Sequence, residues 1–492
     1  MRFGPERGHF LFIFEHFFRD FGLLLGAGIL YLLLRDTEIL WQNSMLLILV
    51  LFAPVKRLIQ YLCTRYSVDD KSFYVESGWL KKKKLEVPLA SITTVDFTQG
   101  FIFRLAGVCS TEIDNSGSIS GDASGKIKIV LKYPRAQELK ALLLENESQE
   151  PEIADEPGSR FKHTVSRAAS VKEILLMGLL RSKVLIVVQL ITYTGIGISI
   201  FSKVFMEKNI DGEALLLHWL LDFSAPVFVG LVLAGLYLIG TAVSTLLSVI
   251  RYYGFCVTDR GDSIFIEYGL LTRKTHTIIK EKVSGISYSQ PLLMRMFGWG
   301  ILEIFAVGYG DGLEGDQTET SMFYPVLPKA GLDGFVQDFL PEVKGRAVPA
   351  GAPPRALPYF FLCLRFFFAL AAFAASWFPW TQSAGLRICI VAGGFIFLAA
   401  AAGSVVLEYK NSAMAGDEKV IVLTGGSYTK TEVRLKTEKV EFAEERAGMR
   451  KRMKKGIISV RLGVLAPLGS GIHKVRNLEA ETFENVRDRL LY

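Results

Sequence analysis

The sequence predicts a membrane protein of the α+β class. In this prediction, six transmembrane helices form three hairpins, and each hairpin is followed by an antiparallel β domain that ends in a helix. Three observations lead to it: an internal repeat with β character, six apolar runs arranged in pairs, and a composition that is 50% hydrophobic with a mean hydropathy of +0.32. A chain this apolar is typical of proteins that cross membranes.

The internal repeat defines the β domains. When the chain is shifted by 191 residues, Ile264–Ile304 falls on Phe73–Ile113 without a gap. A third and weaker copy is found at a shift of 348 residues, which places Gly426 on Gly78 and Val440 on Ile92. Similarity at a fixed offset indicates one structural unit that is used several times.

Each repeat predicts several antiparallel strands and one closing helix. Short β-branched or aromatic runs, such as Phe73–Glu76 and Ile264–Glu267, are followed by a glycine and a second run, which is the pattern of a β-hairpin. An amphipathic helix at the end of the repeat can cover the core of a small sheet sandwich. The segments with helical spacing of apolar residues are Pro134–Glu145, Pro328–Leu340 and Asn477–Leu491.

The apolar runs precede the β domains in pairs. A transmembrane helix needs roughly 20 mostly apolar residues. The candidates are Phe21–Leu34, Ile39–Tyr61, Val184–Phe205, Phe223–Ile250, Leu357–Trp377 and Ala384–Leu407. The predicted organisation is an amphipathic entry and first hairpin over 1–64, a first β domain over 65–146, an acidic linker and lead-in over 147–178, a second hairpin over 179–252, a second β domain over 253–341, a Pro-rich linker over 342–356, a third hairpin over 357–408, and a degenerate third β domain over 409–492.

The flanks of the apolar runs predict the orientation. Lys and Arg are concentrated on the β-domain side, which places all three β domains and both termini in the cytoplasm. Five scattered cysteines without a CxxC pair agree with reduced, cytosol-facing domains. The net charge of +7 suits a protein that lies on an anionic leaflet better than one that binds nucleic acid.

The repeat resembles a known domain. A short strand, a turn of the form Gly-x-Leu, a basic stretch, a run with Ile, Val, Gln, Arg and Gly at fixed spacing, and a closing helix are similar to the bacterial pleckstrin-homology-like (bacterial PH) domain of membrane proteins. The copy number and the interleaved hairpins resemble the YdbT-like family. The resemblance implies PH-like β domains, a multi-pass protein of the bacterial cytoplasmic membrane, a shorter one-domain family member as partner, and a role in envelope stress or resistance to antimicrobial peptides.

Basic clusters are the candidate contacts for anionic lipid or a protein partner. The resemblance places the first cluster near the head-group site of eukaryotic PH domains, and each lysine could contribute about 1 kcal/mol towards an anionic membrane. The alternative for this cluster is a strand edge that lysines protect from aggregation, and for the third cluster a solvated face. The residues are Lys81, Lys82, Lys83 and Lys84; Arg273 and Lys274; and Arg450, Lys451, Arg452, Lys454 and Lys455.

A second group of polar residues and glycines recurs in the first two repeats. We predict a structural role for it, namely an internal hydrogen bond that fixes the turn before the next strand. The residues are Gly78, Gln99, Arg104 and Gly107, which match Gly269, Gln290, Arg295 and Gly298.

No catalytic pattern is present in the sequence. There is no HExxH, GxSxG or P-loop, and the six histidines have no metal-ligand spacing, so we expect no enzyme, no metal and no cofactor. The sequence favours a membrane-anchored scaffold whose PH-like domains bind membrane lipids or a protein partner, and it leaves homo-oligomerisation open. The alternative is a transporter or export accessory subunit with a six-helix membrane bundle, although the spans are poor in Asp, Glu and Asn.

Overall fold

The computed structural model describes residues 3–14, 58–79, 82–115, 126–144, 165–180, 225–306, 321–345, 348–378, 384–447, 456–464 and 471–490. The chain divides into two compact units. Unit 1 comprises Met1–His163, Ile191–His218 and Glu267–Thr277, and unit 2 comprises Thr164–Leu190, Trp219–Ile266 and Ile278–Tyr492.

The strands in the described residues are β1 (Phe3–Glu6), β2 (Arg65–Val68), β3 (Ser72–Ser77), β4 (Lys83–Pro88), β5 (Ile92–Gln99), β6 (Val108–Asn115), β7 (Lys126–Lys132), β8 (Ser166–Ala168), β9 (Cys256–Asp259), β10 (Ser263–Tyr268), β11 (Arg273–Ile279), β12 (Val283–Gln290), β13 (Trp299–Ala306), β14 (Met322–Pro328), β15 (Ala350–Gly351), β16 (Ala413–Gly416), β17 (Val420–Gly425), β18 (Lys430–Lys436), β19 (Val440–Arg446), β20 (Ile457–Val464) and β21 (Ile472–Glu479).

The α-helices in the described residues are α1 (Phe101–Leu105), α2 (Tyr133–Leu144), α3 (Val171–Leu180), α4 (Ala225–Tyr252), α5 (Leu292–Met296), α6 (Leu332–Phe339), α7 (Leu357–Phe361), α8 (Leu364–Ser376), α9 (Ala384–Asn411) and α10 (Ala480–Leu490). The closing helices α2, α6 and α10 lie within a few residues of the segments that the apolar spacing predicts.

Unit 1 contains the first repeat as two antiparallel sheets. Strands β1 to β4 form one sheet in chain order, and β5, β6 and β7 pair in the other. The two sheets and helix α2 share one core, to which Phe73, Val95 and Leu139 contribute fully buried side chains. The second edge of β5 pairs with β11, and Gln99 lies opposite Arg273.

Unit 2 contains most of the second repeat and all of the third. Its larger sheet runs in the order β14-β13-β12-β18-β17-β16-β15, so that β12 joins the strands of one repeat to those of the next. Strands β19, β20 and β21 form a separate sheet. The core of the third repeat lies between these sheets and α10, with Leu435, Leu462 and Phe483 buried.

Each repeat takes one strand from the chain that precedes its helical segment. Strand β1 pairs with β2, β8 pairs with β9, and β15 pairs with β16, all antiparallel. A repeat therefore has four strands followed by three strands and a closing helix.

The α3 helix begins with a reciprocal cap. The Glu173 backbone N–H donates to Ser170 Oγ at 3.2 Å, and the Ser170 N–H donates to Glu173 Oε2 at 2.9 Å, which satisfies two N–H groups that an uncapped helix would leave free. Further along α3, a Cβ on Gly178 would lie only 2.9 Å from the Cα of Thr245 in α4. This close packing of α3 on α4 requires glycine at that position.

The prediction of six transmembrane helices in three hairpins is wrong. In the described residues, one helix, Ile390–Asn411, is long and apolar enough to cross a membrane, or two if the bent pair Pro354–Phe361 and Leu364–Ser376 counts as one span. Strands dominate the rest of the described chain. The predicted spans Phe21–Leu34 and Val184–Phe205, and most of Ile39–Tyr61, lie outside the described residues.

The correction has a physical reason in the third predicted hairpin. Hydropathy counts residues and does not detect breaks. The run Leu357–Trp377 is broken where Cys363 adopts an extended backbone (φ −90°, ψ 143°), and the helices on either side differ by 56°. The run Phe223–Ile250 coincides with helix α4 (Ala225–Tyr252), which packs on α3 at Gly178.

Candidate membrane-facing site

The first basic cluster lies on the edge strand β4. Lys82, Lys83 and Lys84 are exposed, and Lys81 lies outside the described residues. Lys84 Nζ is 3.6 Å from Glu76 and 5.0 Å from the centroid of the Tyr74 ring. The cluster therefore occupies a sheet edge, where both lipid contact and protection from strand pairing are physically sensible.

The other predicted basic residues are placed differently. Arg273 and Lys274 begin β11, where Arg273 pairs with Glu267 and Lys274 lies opposite Thr98 of β5. The third cluster, Arg450, Lys451, Arg452, Lys454 and Lys455, lies outside the described residues.

The recurring glutamines and glycines make matching contacts in both repeats. Gln99 Nε2 donates to the carbonyl of Val108 at 3.4 Å, and Gln290 Nε2 donates to the equivalent carbonyl, that of Trp299, at 3.1 Å. These bonds span the short helices α1 and α5, which carry Arg104 and Arg295.

The recurring glycines occupy left-handed backbone regions. The φ angles are 110° at Gly78, 113° at Gly269, 64° at Gly107 and 72° at Gly298. At Gly269 a Cβ would lie 1.9 Å from the carbonyl oxygen of Thr272, so that hairpin turn accepts only glycine.

Helices α1 and α5 expose apolar side chains at equivalent positions. Large apolar groups on a protein surface mark contact with another apolar phase. The exposed residues are Phe101, Ile102 and Leu105 on α1, and Leu292, Leu293, Met296 and Phe297 on or after α5. The hairpin tips are apolar too, with Trp79, Leu270, Leu271 and Tyr428 exposed.

In unit 2 one of these hairpin tips contacts the candidate membrane helix. Tyr428 donates its hydroxyl proton to the carbonyl of Ala400 in α9 at 2.5 Å, and Asn411 Nδ2 donates to the carbonyl of Gly426 at 2.9 Å. Ala400 lies 11 residues before Asn411, which is roughly 16 Å along the helix axis. The β17–β18 turn is thus held against the last three turns of α9.

Three cations lie together next to this tip. Lys430 begins β18 opposite Gln290, and its pKa is lowered, first by burial and then by the positive charges of Lys329 and Arg295. A bound anion would offset this repulsion. Lys430 stands at the repeat position of the candidate residue Arg273, whereas no sequence pattern indicated Lys329, which lies far from both other cations in the chain.

A basic cavity lies at the break between α7 and α8. Its volume is about 200 Å³, and Tyr359, Cys363, Ser459, Lys474 and Arg476 are among its lining residues. The pKa of Lys474 is lowered by partial burial and then by Arg476 and other arginines.

Glu408 of α9 lies beside this cavity. It forms an ion pair with Arg365 of α8, and its second oxygen is 3.6 Å from Arg476. Sequence patterns did not indicate Lys474 or Arg476, although alternation of the two cations along β21 places both on one face. Arg365, which lies in the predicted span Leu357–Trp377, therefore has a carboxylate partner.

The described residues offer no metal site. Within the ranges given above, no group of three or more His, Cys, Asp or Glu side chains is arranged to hold a metal ion.

The fold and the repeated elements define a class of protein. Sandwiches of four and three strands with a closing helix have the architecture of PH-like domains, and here they are repeated along one chain that also contains a candidate membrane helix. The family model of the bacterial PH domain matches residues 21–147 and 214–327, and these two segments belong to that family.

One relative is a membrane protein. The chain is 21% identical over 323 residues to the UPF0699 transmembrane protein YdbT of Bacillus subtilis (strain 168). The match covers 63% of each chain, so the chain spans less than two thirds of that relative's length. No solved structure was found to match. The family and the relative indicate a membrane-associated, non-catalytic role.

Proposed function

We propose that this protein is a membrane-anchored interaction protein whose PH-like domains lie against the cytoplasmic leaflet and bind anionic lipid. The observation that carries the proposal is the contact between the β17–β18 tip and α9. Tyr428 meets Ala400 within the candidate membrane helix Ile390–Asn411, so the β17–β18 hairpin brings the strands of this repeat to the membrane interface.

The neighbouring surfaces have the chemistry of that interface. Helix α5 presents Leu292, Leu293 and Met296, and Arg295 on the same helix lies near Lys430. Apolar side chains that enter the acyl boundary next to cations that meet phosphate groups are typical of interfacial elements. Helix α1 repeats the arrangement with Phe101, Leu105 and Arg104, so the surface recurs in both repeats.

The depth of α5 can be measured directly. The full chain, with its native cysteines replaced by alanine, is reconstituted into nanodiscs after labelling of Met296→Cys with an environment-sensitive fluorophore. We expect a blue-shifted emission that brominated lipids quench. Val348→Cys, at a position that is 88% exposed in the Pro-rich linker, is the matched control and should show neither effect. Equal, water-like spectra at both positions would refute the proposal.

Anionic lipid binding has a separate test at the basic cavity. Lys474→Gln combined with Arg476→Gln should reduce the anionic phospholipid retained by the intact protein in native mass spectrometry, by about thirtyfold if each lost charge contributes about 1 kcal/mol. Lys419→Gln removes an exposed lysine from the β16–β17 turn and should leave retention unchanged. Unaltered retention in the double variant would exclude the cavity as a lipid site.

A further inference from the structure

Two strand pairings in the structure follow one rule. Strand β5 of the first repeat pairs with β11 of the second, and β12 of the second repeat pairs with β18 of the third. In each case the fifth strand of one repeat pairs with the fourth strand of the next repeat.

The register of the two pairings is the same. Gln99 lies opposite Arg273 in the first, and Gln290 lies opposite Lys430 in the second. Gln290 is the repeat equivalent of Gln99 at an offset of 191, and Lys430 is that of Arg273 at an offset of 157, which is 348 minus 191. The pairing is therefore a property of the repeat unit rather than of one pair of sequences.

With three repeats, this rule gives no partner to the fourth strand of the first repeat, β4, or to the fifth strand of the third repeat, β19. Strand β4 is equivalent to β11 and β18, and it is the outer strand of its sheet. Strand β19 is equivalent to β5 and β12, and it too is an outer strand in the part of the chain that the structure describes. We propose that β19 of one copy of this chain pairs with β4 of a second copy, in the register of the two internal pairings.

The charges of the two edges are complementary. Lys82, Lys83 and Lys84 with Glu86 give the β4 edge a net charge of +2, and Glu441, Glu444 and Glu445 with Arg446 give β19 a net charge of −2. Charged edge strands resist unspecific pairing. A lysine-rich edge then favours a strand of net negative charge, because opposite charges on paired strands attract each other.

The repeat offsets fix the register of the new contact. The equivalents of Gln99 and Arg273 are Ala447 and Lys82, so Glu445 lies opposite Lys84. Arg446 would face Lys83, and its charge is already paired with Glu444, at 2.5 Å.

The length of the contact follows from one bulky side chain. Phe442 stands at the position of Gly285 in β12 and Thr94 in β5. The strand with the glycine has six paired positions, whereas the strand with the threonine has three. We therefore expect the shorter pairing, from Lys82 to Lys84. Such a head-to-tail contact gives a ring if it closes and an open chain of copies if it does not.

Cross-linking between two tagged copies tests the proposal in membranes. One copy carries Lys84→Cys and the other Glu445→Cys, both in the full chain with native cysteines replaced, and a short bis-maleimide joins thiols on opposite strands, whose Cβ atoms lie about 5 Å apart. We expect a linked species that carries both tags. Lys84→Cys with Val348→Cys is the control and should give at least fivefold less. Equal yields for both pairs, or linkage only to a different protein, would overturn the proposal.

Exchanging the charges of Lys84 and Glu445 distinguishes a loss of strand pairing from a loss of folding. Lys84→Glu in one copy should lower the amount of a second, differently tagged copy that co-purifies, by about fivefold, since an opposed pair becomes a like-charged one. Glu445→Lys in the second copy should restore it. Loss in the single variant without rescue in the exchanged pair, or no loss at all, contradicts the pairing of these two residues.

Discussion

The two internal strand pairings share a register and differ in almost everything else. The β5–β11 pairing has three paired positions, whereas β12–β18 has six. The difference is found at equivalent positions, Thr94 in β5 and Gly285 in β12. A Cβ on Gly285 would lie 2.4 Å from the carbonyl oxygen of Arg434, so the long pairing needs a glycine that the first repeat lacks.

The side chains that accompany the pairings also differ. Beside β5–β11, Asp96 Oδ2 is 2.9 Å from His276 Nδ1, and its other oxygen accepts from the Thr277 N–H at 3.4 Å. Beside β12–β18, Arg434 is 7% exposed and contacts Asp333 and Glu432. The comparison teaches that backbone register is retained between repeats while the polar groups that stabilise it are replaced.

The largest difference in stability between the two pairings should result from replacing Arg434. Arg434→Met keeps an unbranched apolar stem and removes the guanidinium charge, which leaves Glu432, whose side chain is 16% exposed, without its main partner. Breaking a buried pair in this way costs about 3–5 kcal/mol. Hydrogen exchange of the β12 and β18 amides should accelerate strongly, while the β5 amides keep their rates. An unchanged exchange pattern would mean that the ion pairs are incidental to the pairing.

A slightly smaller effect is expected when the second repeat is given the residue of the first. Gly285→Thr puts a side chain where the backbone of Arg434 lies, and such overpacking costs about 1–3 kcal/mol. The expected result is a β12–β18 pairing shortened towards the three positions of β5–β11, measured as faster exchange at Val433 and Leu435 but not at Thr431. Gly351→Thr, at a β-strand glycine with open space around it, is the control. If exchange is uniform along β18, the length of the β12–β18 pairing does not depend on Gly285.

The β5–β11 pairing should be destabilised by a substitution at Asp96. Asp96→Asn preserves shape but removes the charge from a carboxylate that is 8% exposed, and a charge-assisted hydrogen bond contributes about 1.5–3 kcal/mol. The Thr277 amide should exchange faster. The β12–β18 amides of the same protein provide the internal control. If both pairings respond equally, the effect is global destabilisation and the two pairings are not independent.

The sequence predicts the parts of this fold that are local. Hairpins were found because glycine follows short β runs, and α2, α6 and α10 were found because their apolar residues follow helical spacing. Strands β1, β8 and β15 were missed because they are two to four residues long and their partners lie far along the chain. The pairings between repeats leave no local pattern at all, and hydropathy overcounted the spans because it does not register the break at Cys363.

The candidate site divides in the same way. Recurrence alone singled out Gln99 and Gln290, since both repeats need the same turn. Lys329, Lys474 and Arg476 could not be found from the sequence, because the fold brings them next to other cations that are distant in the chain or not part of any cluster. Of the basic residues that sequence patterns selected, the described ones lie on strands β4 and β11 or directly before them. Residues that are neighbours in the sequence stay neighbours along a strand, so these clusters could be predicted.

Lowering the pH should destabilise the β12–β18 pairing more than the β5–β11 pairing, and this is the smallest of the expected effects. His473 lies with its ring centroid 4.8 Å from that of Phe305, which is opposite Gly285 in the neighbouring strand, and burial lowers the pKa of His473 to about 4. Between that value and the ordinary 6.5, the unfolded chain binds more protons than the folded one, so the folded state loses stability as the pH falls. The loss from this group is about 1 kcal/mol between about pH 6.5 and 5.5. Exchange near β13 and β12 should quicken accordingly, and His473→Leu should abolish that dependence. If exchange in His473→Leu depends on pH as it does in the unaltered protein, another group causes the effect. His473 would then give the β12–β18 pairing no greater acid sensitivity than the β5–β11 pairing.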